Sequence, residues 1–313
     1  IETLAIVIDN PGQLDLRKVA LREPGPGDVI VETHYSGVST GTERLFWNGE
    51  MPFFPGMGYP LVPGYETVGV VVDKRASSKL KVGDHVFVPG ANCYEKEKGL
   101  FGASASLLLA SDEKLIKIDS ELKAKGTLFA LAATARHAIA GLGNKLPSLI
   151  VGHGVLGRLL ARLTIAAGGE PPTVWESNPL RVGHQTDYKV IDPLKDSSAD
   201  HAAIYEASGD ISVLDKIIPK LKKNGEIVLA GFYSSPISFA FPPAFMREAR
   251  FRISAEFNTE DINITRSLLE TGALSLEGLI SHEKNVNSSK AAYKQSFEDP
   301  ECLKMVIDWR EVA

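Results

Sequence analysis

The sequence predicts an α/β fold in which a doubly wound parallel sheet is joined to a second domain built as a β-barrel. Short strand-like runs punctuated by proline and glycine fill residues 1–120. Helices and strands then alternate over residues 121–257, which is typical of a parallel sheet. Residues 258–313 return to a mixed pattern, and we expect this tail to complete the first domain.

Five apolar runs predict the strands of the first domain, and Pro-Gly pairs separate them. The runs are residues 3–8, 29–35, 67–72, 85–88 and 115–118. Strands at this spacing indicate a compact barrel. The Ala-rich residues 122–142 have apolar positions at helical spacing, and they predict two helices that link the domains.

A strand, a glycine-rich turn and a helix open the second domain. We predict the strand at residues 149–151 and the helix at residues 159–167. The turn between them has G-x-G-x-x-G spacing, and its residues are Gly152, Gly154, Val155, Leu156 and Gly157. Glycines here allow a sharp turn, close approach of a pyrophosphate, and tight packing of helix on strand. The helix N-terminus supplies free N–H groups for the phosphates.

An acidic residue ends the next predicted strand, residues 173–175. Glu176 follows this strand about twenty residues after the last glycine of the turn, which is the spacing of a dinucleotide-binding unit. Its carboxylate can accept hydrogen bonds from both ribose hydroxyls and would repel a 2′-phosphate, so the sequence predicts NAD rather than NADP. Arg181 could stack on the adenine, and a solvated surface arginine is the open alternative.

Later strands of the parallel sheet are predicted at residues 189–191, 203–206, 226–230 and 251–254, with helices on both faces. Ligands of such sheets bind at the carboxyl ends of the strands. We therefore expect the residues after two of these strands to line the nicotinamide side, namely Ser208, Gly209, Gly231 and Phe232. The tail predicts helices at 262–269 and 289–297 and strands at 279–282 and 304–308.

Composition narrows the classes of protein. With 44% hydrophobic and 23% charged residues, the chain resembles an ordinary globular protein. A net charge of −5 offers no basic patch, so we expect no nucleic-acid partner. No apolar run predicts a transmembrane span, and we find no signal peptide. Two cysteines, Cys93 and Cys302, argue against a disulfide framework and favour a cytoplasmic location.

Several motifs occur in a characteristic order. They are SGVSTGTE at 36–43, VPGYETVG at 62–69, KVGDHV at 81–86, the glycine turn, EASG at 206–209 and GEIVLAG at 225–231. With them the whole chain resembles the medium-chain dehydrogenase/reductase superfamily. The resemblance implies a GroES-like β-barrel domain and a Rossmann domain, with the active site in the cleft between them.

Three longer strings are similar to one branch of that superfamily: FFPGMGYPLVPGYE at 53–66, LAATARHA at 131–138 and FAFPPAFMRE at 239–248. Members of this branch use NAD to oxidise the 3-(1-hydroxyethyl) group of a chlorophyllide or bacteriochlorophyllide to 3-acetyl, in bacteriochlorophyll biosynthesis. The resemblance thus implies a tetrapyrrole substrate. By analogy with the superfamily, it also implies a possible homodimer through the edge of the Rossmann sheet.

The chain departs from the zinc-binding members of the superfamily. Those members carry Cys where Ser36 stands, His where Tyr65 stands, and a third ligand near Ala132 or Ala133. A hydroxyl and a phenol are poor zinc ligands, and the four-cysteine loop of a structural zinc is also missing. We therefore predict neither a catalytic nor a structural zinc.

Without zinc, a side chain or water must take the proton of the alcohol. The resemblance places Tyr65 and Glu66 at the border of the cleft; the alternatives are a packed tyrosine and a structural carboxylate. His137 has a side-chain type suited to proton relay, and a packing role is its alternative. Thr40 and Ser36 could bond the substrate hydroxyl, or they could only stabilise a turn. We interpret Glu43 as an acid at the start of a helix.

A planar macrocycle needs a broad apolar wall, and one Gly/Pro-rich segment is unusually rich in aromatic residues and methionine. The predicted substrate residues there are Phe46, Trp47, Met51, Phe54 and Tyr59, and Met246 is predicted on an opposing wall. A local hydrophobic core is the alternative. Two other functions also stay open at this point: a zinc-free quinone or enone reductase, and a non-catalytic dinucleotide-binding regulator.

Overall fold

The computed structural model describes residues 1–74, 80–99, 101–141, 143–182 and 187–311. Contacts between Cα atoms divide the chain into two units, one of Ile1–Ala130 with Leu276–Ala313 and one of Leu131–Ser275. The predicted domain bounds, at residues 120 and 257, differ from this division and stay a prediction. Of the helices that the structure describes, none combines the length and the apolar character that crossing a bilayer requires.

The first part of the chain forms seven strands and a short helix. They are β1 (Glu2–Asn10), β2 (Gln13–Ala20), β3 (Asp28–Val38), α1 (Thr42–Asn48), β4 (Thr67–Lys74), β5 (His85–Val88), β6 (Leu107–Ser111) and β7 (Ile116–Lys117). A 3-10 segment over Ser120–Leu128 then leads into α2 (Phe129–Ile139).

The middle of the chain alternates strands and helices. Its elements are β8 (Leu149–Val151), α3 (Val155–Ala166), β9 (Thr173–Trp175), β10 (Lys189–Ile191), β11 (His201–Glu206), α4 (Leu214–Ile217), β12 (Leu221–Leu229), α5 (Phe241–Arg247), β13 (Arg250–Ile253) and α6 (Thr259–Glu270). The tail adds β14 (His282–Asn285), α7 (Ser289–Glu298) and β15 (Met305–Asp308).

The first unit is built on a seven-stranded sheet. Its strand order is β14-β15-β3-β4-β5-β7, with β6 paired to β3, while β1 and β2 form a separate antiparallel hairpin. The tail is part of this sheet, because β15 pairs with β3 in antiparallel register from Met305–Val38 to Asp308–Tyr35. Two clusters of buried apolar side chains fill the unit.

The second unit contains a six-stranded, fully parallel sheet in the order β10-β9-β8-β11-β12-β13. From β8 the chain first adds β9 and β10 on one side of the sheet and then β11, β12 and β13 on the other side. This change of side next to β8 is typical of a doubly wound fold. All three residues of β8 are buried, which is why the strand appears in the sequence as a continuous apolar run. The predicted Rossmann fold of this unit is confirmed.

The strands predicted at residues 85–88, 149–151, 173–175 and 189–191 have the predicted bounds. The prediction missed β2 and β6, whereas Glu43 lies in the first turn of α1, as its interpretation as an acid at the start of a helix predicts. In β2, apolar and charged residues do not alternate regularly, so the sequence shows no clear strand pattern. Much of the strand stays exposed although it pairs with β1. The strand expected at residues 279–282 was wrong, because Leu279 is buried in a loop and β14 begins at His282.

The linker also differs from its prediction of two helices. Its first part is a 3-10 segment with a non-helical residue, Lys123, at φ 47°. The second part is α2, which ends at Ile139. Leu142, where the predicted helical range ended, lies outside the described residues.

Candidate active site

The glycine turn of the second unit has the backbone that the motif requires. Gly152 follows β8 with φ 99°, and a Cβ there would lie 3.0 Å from the backbone nitrogen of Ser208. A Cβ on Gly157 would clash with the carbonyl of Gly152. A Cβ on Gly154, by contrast, would meet no described protein atom within 4 Å. The turn is therefore tightly packed at two glycines and open at the third, where a pyrophosphate can approach.

The helix that follows begins at Val155, with Gly154 as its N-cap. Val155 is buried, and Leu156 is half-buried. The cap has no side-chain hydrogen bond, so its N–H groups are the ones that an anion would use. This geometry fits the pyrophosphate of a dinucleotide.

The acid after β9 lies beside the same turn. The Gly152 N–H donates to the Trp175 carbonyl at 2.9 Å, and Glu176 comes next in the chain. Glu176 is 8% exposed, and its Oε1 accepts a hydrogen bond from the Asn178 N–H at 2.8 Å. The hydrogen bond from Asn178 thus fixes the Glu176 carboxylate, and the strand pairing places Glu176 next to the glycine turn that would hold the phosphates.

His153 lies inside the glycine motif, and its ring is fully buried. Nδ1 lies 3.0 Å from the carbonyl oxygen of Arg181, and Nε2 lies 3.0 Å from the Tyr188 hydroxyl. The ring therefore ties the turn to the segment that follows Glu176. The predicted stacking of the Arg181 side chain on adenine stays a prediction.

The residues expected on the nicotinamide side are held by a buried acid that the sequence analysis did not assign a role. Glu206 ends β11, and its two carboxylate oxygens accept from the N–H groups of Ser208 (2.7 Å) and Gly209 (3.2 Å). The hydroxyls of Ser208 and Tyr233 also donate to it. Burial raises the pKa of Glu206, and these donors oppose that effect. Gly231 donates to the Glu206 carbonyl, while Phe232 is 51% exposed.

In the first unit, a small hydroxyl network surrounds Tyr65. Its phenol oxygen lies 2.6 Å from Ser39 Oγ and donates to Thr42 Oγ1 at 3.3 Å. Ser39 Oγ in turn accepts from the Thr42 N–H at 3.2 Å. Burial, with a smaller contribution from Glu66, raises the pKa of Tyr65 well above its ordinary value. The phenol therefore stays neutral at physiological pH and acts as a hydrogen-bonding group.

The hydrogen bonds of this network go to Ser39 and Thr42 rather than to Ser36 and Thr40, the predicted partners of the substrate hydroxyl. Ser36 Oγ accepts from Trp309 Nε1 at 2.8 Å, and Ser36 is 1% exposed. Thr40 is exposed. The residue that bonds Tyr65 is Ser39, which the sequence analysis quoted in the motif but did not select. The position of Ser39 directly after the end of β3 was the feature of the sequence that could have pointed to it.

Glu66 forms a buried ion pair with a residue from the tail. Lys304 Nζ donates to Glu66 Oε2, and both side chains are almost completely buried. A Cβ on Gly37 would lie 2.5 Å from the same oxygen, so the absence of a side chain there makes room for the pair. The geometry favours the structural alternative for Glu66, and nothing near it in the sequence pointed to Lys304.

His137 is held by a buried acid of the second unit. Its Nδ1 lies 2.7 Å from Asp261 Oδ2, and Arg136 donates to the other oxygen. Although burial alone would raise the pKa of Asp261, the Asn258 N–H and these two side chains lower it. Asp261 also closes a capping box with Asn258 at the start of α6. The arrangement fits a packing role for His137.

The predicted aromatic wall is mostly a core. Phe46 is fully buried, and Trp47, Met51 and Tyr59 pack against its cluster. The Tyr59 hydroxyl donates to the Phe46 carbonyl at 2.6 Å. The local-core alternative therefore describes these four residues. Phe54 and Met246 are exposed, at 42% and 70%.

No group of three or more His, Cys, Asp or Glu side chains suited to a metal ion occurs among the residues that the structure describes. Both cysteines are buried, and burial raises the pKa of each thiol. The absence of zinc stays a prediction, which rests on the residue types at Ser36 and Tyr65.

Comparison with known proteins agrees with this architecture. The alcohol dehydrogenase GroES-like domain matches residues 25–120. A 2R,3R-butanediol dehydrogenase from Bacillus subtilis has the same fold, with a TM-score of 0.84 and 19% identity, covering 99% of this chain and 100% of that one. The predicted GroES-like and Rossmann folds are therefore confirmed.

Two relatives are much more similar in sequence. The 2-desacetyl-2-hydroxyethyl bacteriochlorophyllide A dehydrogenase of Cereibacter sphaeroides is 54% identical, and the alignment covers 99% of both chains. The enzyme of the same name from Rhodobacter capsulatus is 52% identical, again over 99% of both chains. The chain belongs to the medium-chain dehydrogenase/reductase superfamily, within the family of these bacteriochlorophyllide dehydrogenases.

Proposed function

We propose that this protein is an alcohol dehydrogenase that oxidises the 3-(1-hydroxyethyl) group of a chlorophyllide or bacteriochlorophyllide to 3-acetyl. The observation that carries the proposal is 54% identity over 99% of the chain to a dehydrogenase named for such a hydroxyethyl pigment. The new carbonyl is conjugated with the macrocycle, which favours the ketone and should shift the long-wavelength band of the pigment to the red.

The oxidant in this proposal is NAD. The open space over Gly154, the uncapped N-terminus of α3 and the carboxylate of Glu176 fit its pyrophosphate and its adenosine ribose. Bound NAD supplies the carbon, C4 of the nicotinamide, that receives the hydride. Glu176 is the feature that favours NAD over NADP, because its charge opposes a 2′-phosphate.

The hydroxyl network of Tyr65 carries the proton in this scheme. As the carbinol C–H bond breaks, its electron pair leaves as hydride; the O–H bond breaks, and the C=O bond forms. The released proton passes to the phenol oxygen of Tyr65 while Tyr65 gives its own proton to Ser39 or Thr42, and from there a proton goes to water. Neutral hydroxyls suit such a relay because each one donates and accepts.

No metal is required for this scheme. Ser36 and Tyr65 present hydroxyls, which are weak zinc ligands. Ser36 Oγ already accepts from Trp309 Nε1 at 2.8 Å, and the Tyr65 hydroxyl lies 2.6 Å from Ser39 Oγ. We expect active protein to contain no stoichiometric zinc by elemental analysis, and chelators to leave turnover unchanged. One tightly held zinc per chain that is lost together with activity would refute this part of the proposal.

For the substrate surface we propose Phe54 and Met246, since both are exposed apolar side chains. We also propose that the protein forms a homodimer through β13. This strand lies at one end of the described six-stranded sheet, and Ile253 on it is 77% exposed. An exposed strand edge with apolar side chains is a template for pairing with another strand.

The decisive experiment mixes purified protein, NAD and the 3-(1-hydroxyethyl) pigment. We expect the red shift of the pigment and the absorbance of NADH to appear together, in equal molar amounts. If both ligands bind and no acetyl pigment forms over long incubation, the non-catalytic regulator becomes the better interpretation. Reduction of a quinone with NADPH, and no alcohol oxidation, would favour the reductase instead.

A further inference from the structure

Two buried acids are chain neighbours of the Tyr65 network, Glu43 next to Thr42 and Glu66 next to Tyr65, and Lys304 donates to the second of them. Glu43, in the first turn of α1, and Glu66 are both 0% exposed. The Lys304 ammonium donates to Glu66. Neither carboxyl oxygen of Glu43 has a partner in hydrogen-bond geometry among the residues that the structure describes.

The groups that face Glu43 come from four parts of the first unit. They are Glu66 before β4, Lys304 before β15, the Tyr293 hydroxyl of α7 and the backbone of Ser39. One ammonium thus serves two buried carboxyl groups, and it is already engaged by Glu66. An ionised carboxylate without a partner is very costly to bury, so such a group takes up a proton instead. Burial raises the pKa of Glu43 to about 8, and Glu66 adds to that rise, while the Tyr293 hydroxyl, Lys304 and the Ser39 backbone oppose it.

We propose that Glu43 is a positioning residue, held as a neutral carboxylic acid so that the Ser39–Tyr65–Thr42 network faces one buried carboxylate rather than two. Burial is the main cause of the raised pKa of Tyr65, and Glu66 and Glu43 each add to it, so both acids act on the phenol. In the proposed reaction the network oxygens receive the proton from the alcohol, and partial negative charge develops on the substrate oxygen. A second buried carboxylate would repel that charge. Ionisation of Glu43 therefore slows proton transfer.

The protonation state can be measured without any substrate. In protein labelled with ¹³C at the glutamate carboxyl carbons, we expect one buried glutamate to titrate near pH 8. The signal should vanish in Glu43→Gln and persist in Glu50→Gln, whose side chain is exposed on the loop after α1. If every glutamate of the unmodified protein is ionised at pH 7, the proposal is overturned, whether or not the variant folds.

Stability gives an independent readout. The folded state keeps a proton on Glu43 between about pH 4.5 and 8 that the unfolded chain has released. Because the native state then binds more protons, stability falls as pH rises through this window, by up to tenfold in the folding constant per pH unit. Glu43→Gln should lose this part of the slope, and Glu50→Gln should keep it. Identical slopes in all three proteins would count against the proposal.

A third measurement rests on the proposed function. Turnover of the hydroxyethyl pigment should fall about tenfold one pH unit above the Glu43 transition, in the unmodified protein and in Glu50→Gln. Glu43→Gln, which imitates the neutral acid, should lack this alkaline fall. An alkaline fall that persists in Glu43→Gln contradicts the positioning role. Absence of turnover at every pH would instead refute the proposed function, and the carboxyl titration would still decide the state of Glu43.

Discussion

The second unit, called the cofactor unit here because it contains the glycine turn, and the first unit, which contains Tyr65, are assembled in different ways. In the cofactor unit, the glycine turn, the helix and Glu176 follow one another within about thirty residues of continuous chain. In the other unit, Glu66 is paired with Lys304 and Ser36 with Trp309, which are 238 and 273 positions away. The first arrangement depends on backbone shape, whereas the second depends on side chains that only the complete fold brings together.

The first prediction breaks the local arrangement of the second unit. Gly154→Trp places a bulky side chain where a Cβ has no described protein neighbour within 4 Å. The fold should therefore tolerate it, while the pyrophosphate is blocked. We expect NADH affinity by fluorescence titration to fall at least about hundredfold, or nearly 3 kcal/mol, with an unchanged circular dichroism spectrum. Unimpaired NADH binding by the folded variant would show that the dinucleotide lies elsewhere.

The next effect tests the network in the other unit. Tyr65→Phe removes the hydroxyl that bonds Ser39 and Thr42 but keeps the ring, which packs at 4.9 Å from that of Phe101. We expect kcat to fall by about 10²–10⁴, the range of general acid–base groups, with NADH affinity unchanged.

Tyr94→Phe is the matched control, since it removes a buried hydroxyl of the same unit that donates to the Gly102 carbonyl at 2.5 Å and is no member of the Tyr65 network. Turnover of this control should stay near that of the unmodified protein when both are compared at equal folded fraction. Equal losses in the two variants would mean that Tyr65 acts through packing alone.

The same contrast explains how much the sequence could predict. The backbone roles of Gly152 and Gly157 could be predicted because the geometry of a turn next to a strand follows from nearby residues. The ribose-binding role of Glu176 rests on the same local reasoning and stays a prediction. Ser39 and Lys304 were missed because their partners lie elsewhere in the chain. Phe46 and Tyr59 were assigned to a substrate wall, since an aromatic segment looks the same in the sequence whether it lines a pocket or fills a core.

A third prediction measures how strongly the tail is tied to the first unit. Lys304→Met leaves Glu66 as a buried acid without its cation, and breaking such a pair costs about 3–5 kcal/mol of unfolding free energy. Urea unfolding should show this loss. The control Lys294→Met removes an exposed lysine of α7 that lies 4.0 Å from Glu298, and it should cost under about 0.5 kcal/mol.

A second variant separates the charge from the packing. Combining Lys304→Met with Glu66→Gln removes both charges and should recover part of the lost stability, because a neutral amide costs less to bury than an unpaired carboxylate. If the double variant is no more stable than Lys304→Met, the lysine contributes mainly through its aliphatic stem.

The smallest expected effect concerns the choice between NAD and NADP, and it tests how far local reasoning extends. Glu176 is fixed through its Oε1 by the Asn178 N–H at 2.8 Å, so it presents a carboxylate of settled orientation beside the glycine turn. The charges of Arg162, Arg181 and Glu176 each influence the pKa of Arg158, so the three arginines and Glu176 share one electrostatic neighbourhood.

Glu176→Ala therefore removes the negative charge and leaves the guanidinium groups, which attract phosphate. We expect the unmodified protein to bind NADH more tightly than NADPH, and the variant to narrow this difference by about tenfold, or 1.4 kcal/mol. Glu170→Ala, which removes an exposed acid of the same unit, should leave the difference unchanged. Tighter binding of NADPH than of NADH by the unmodified protein would show that the arginines, rather than Glu176, set the specificity.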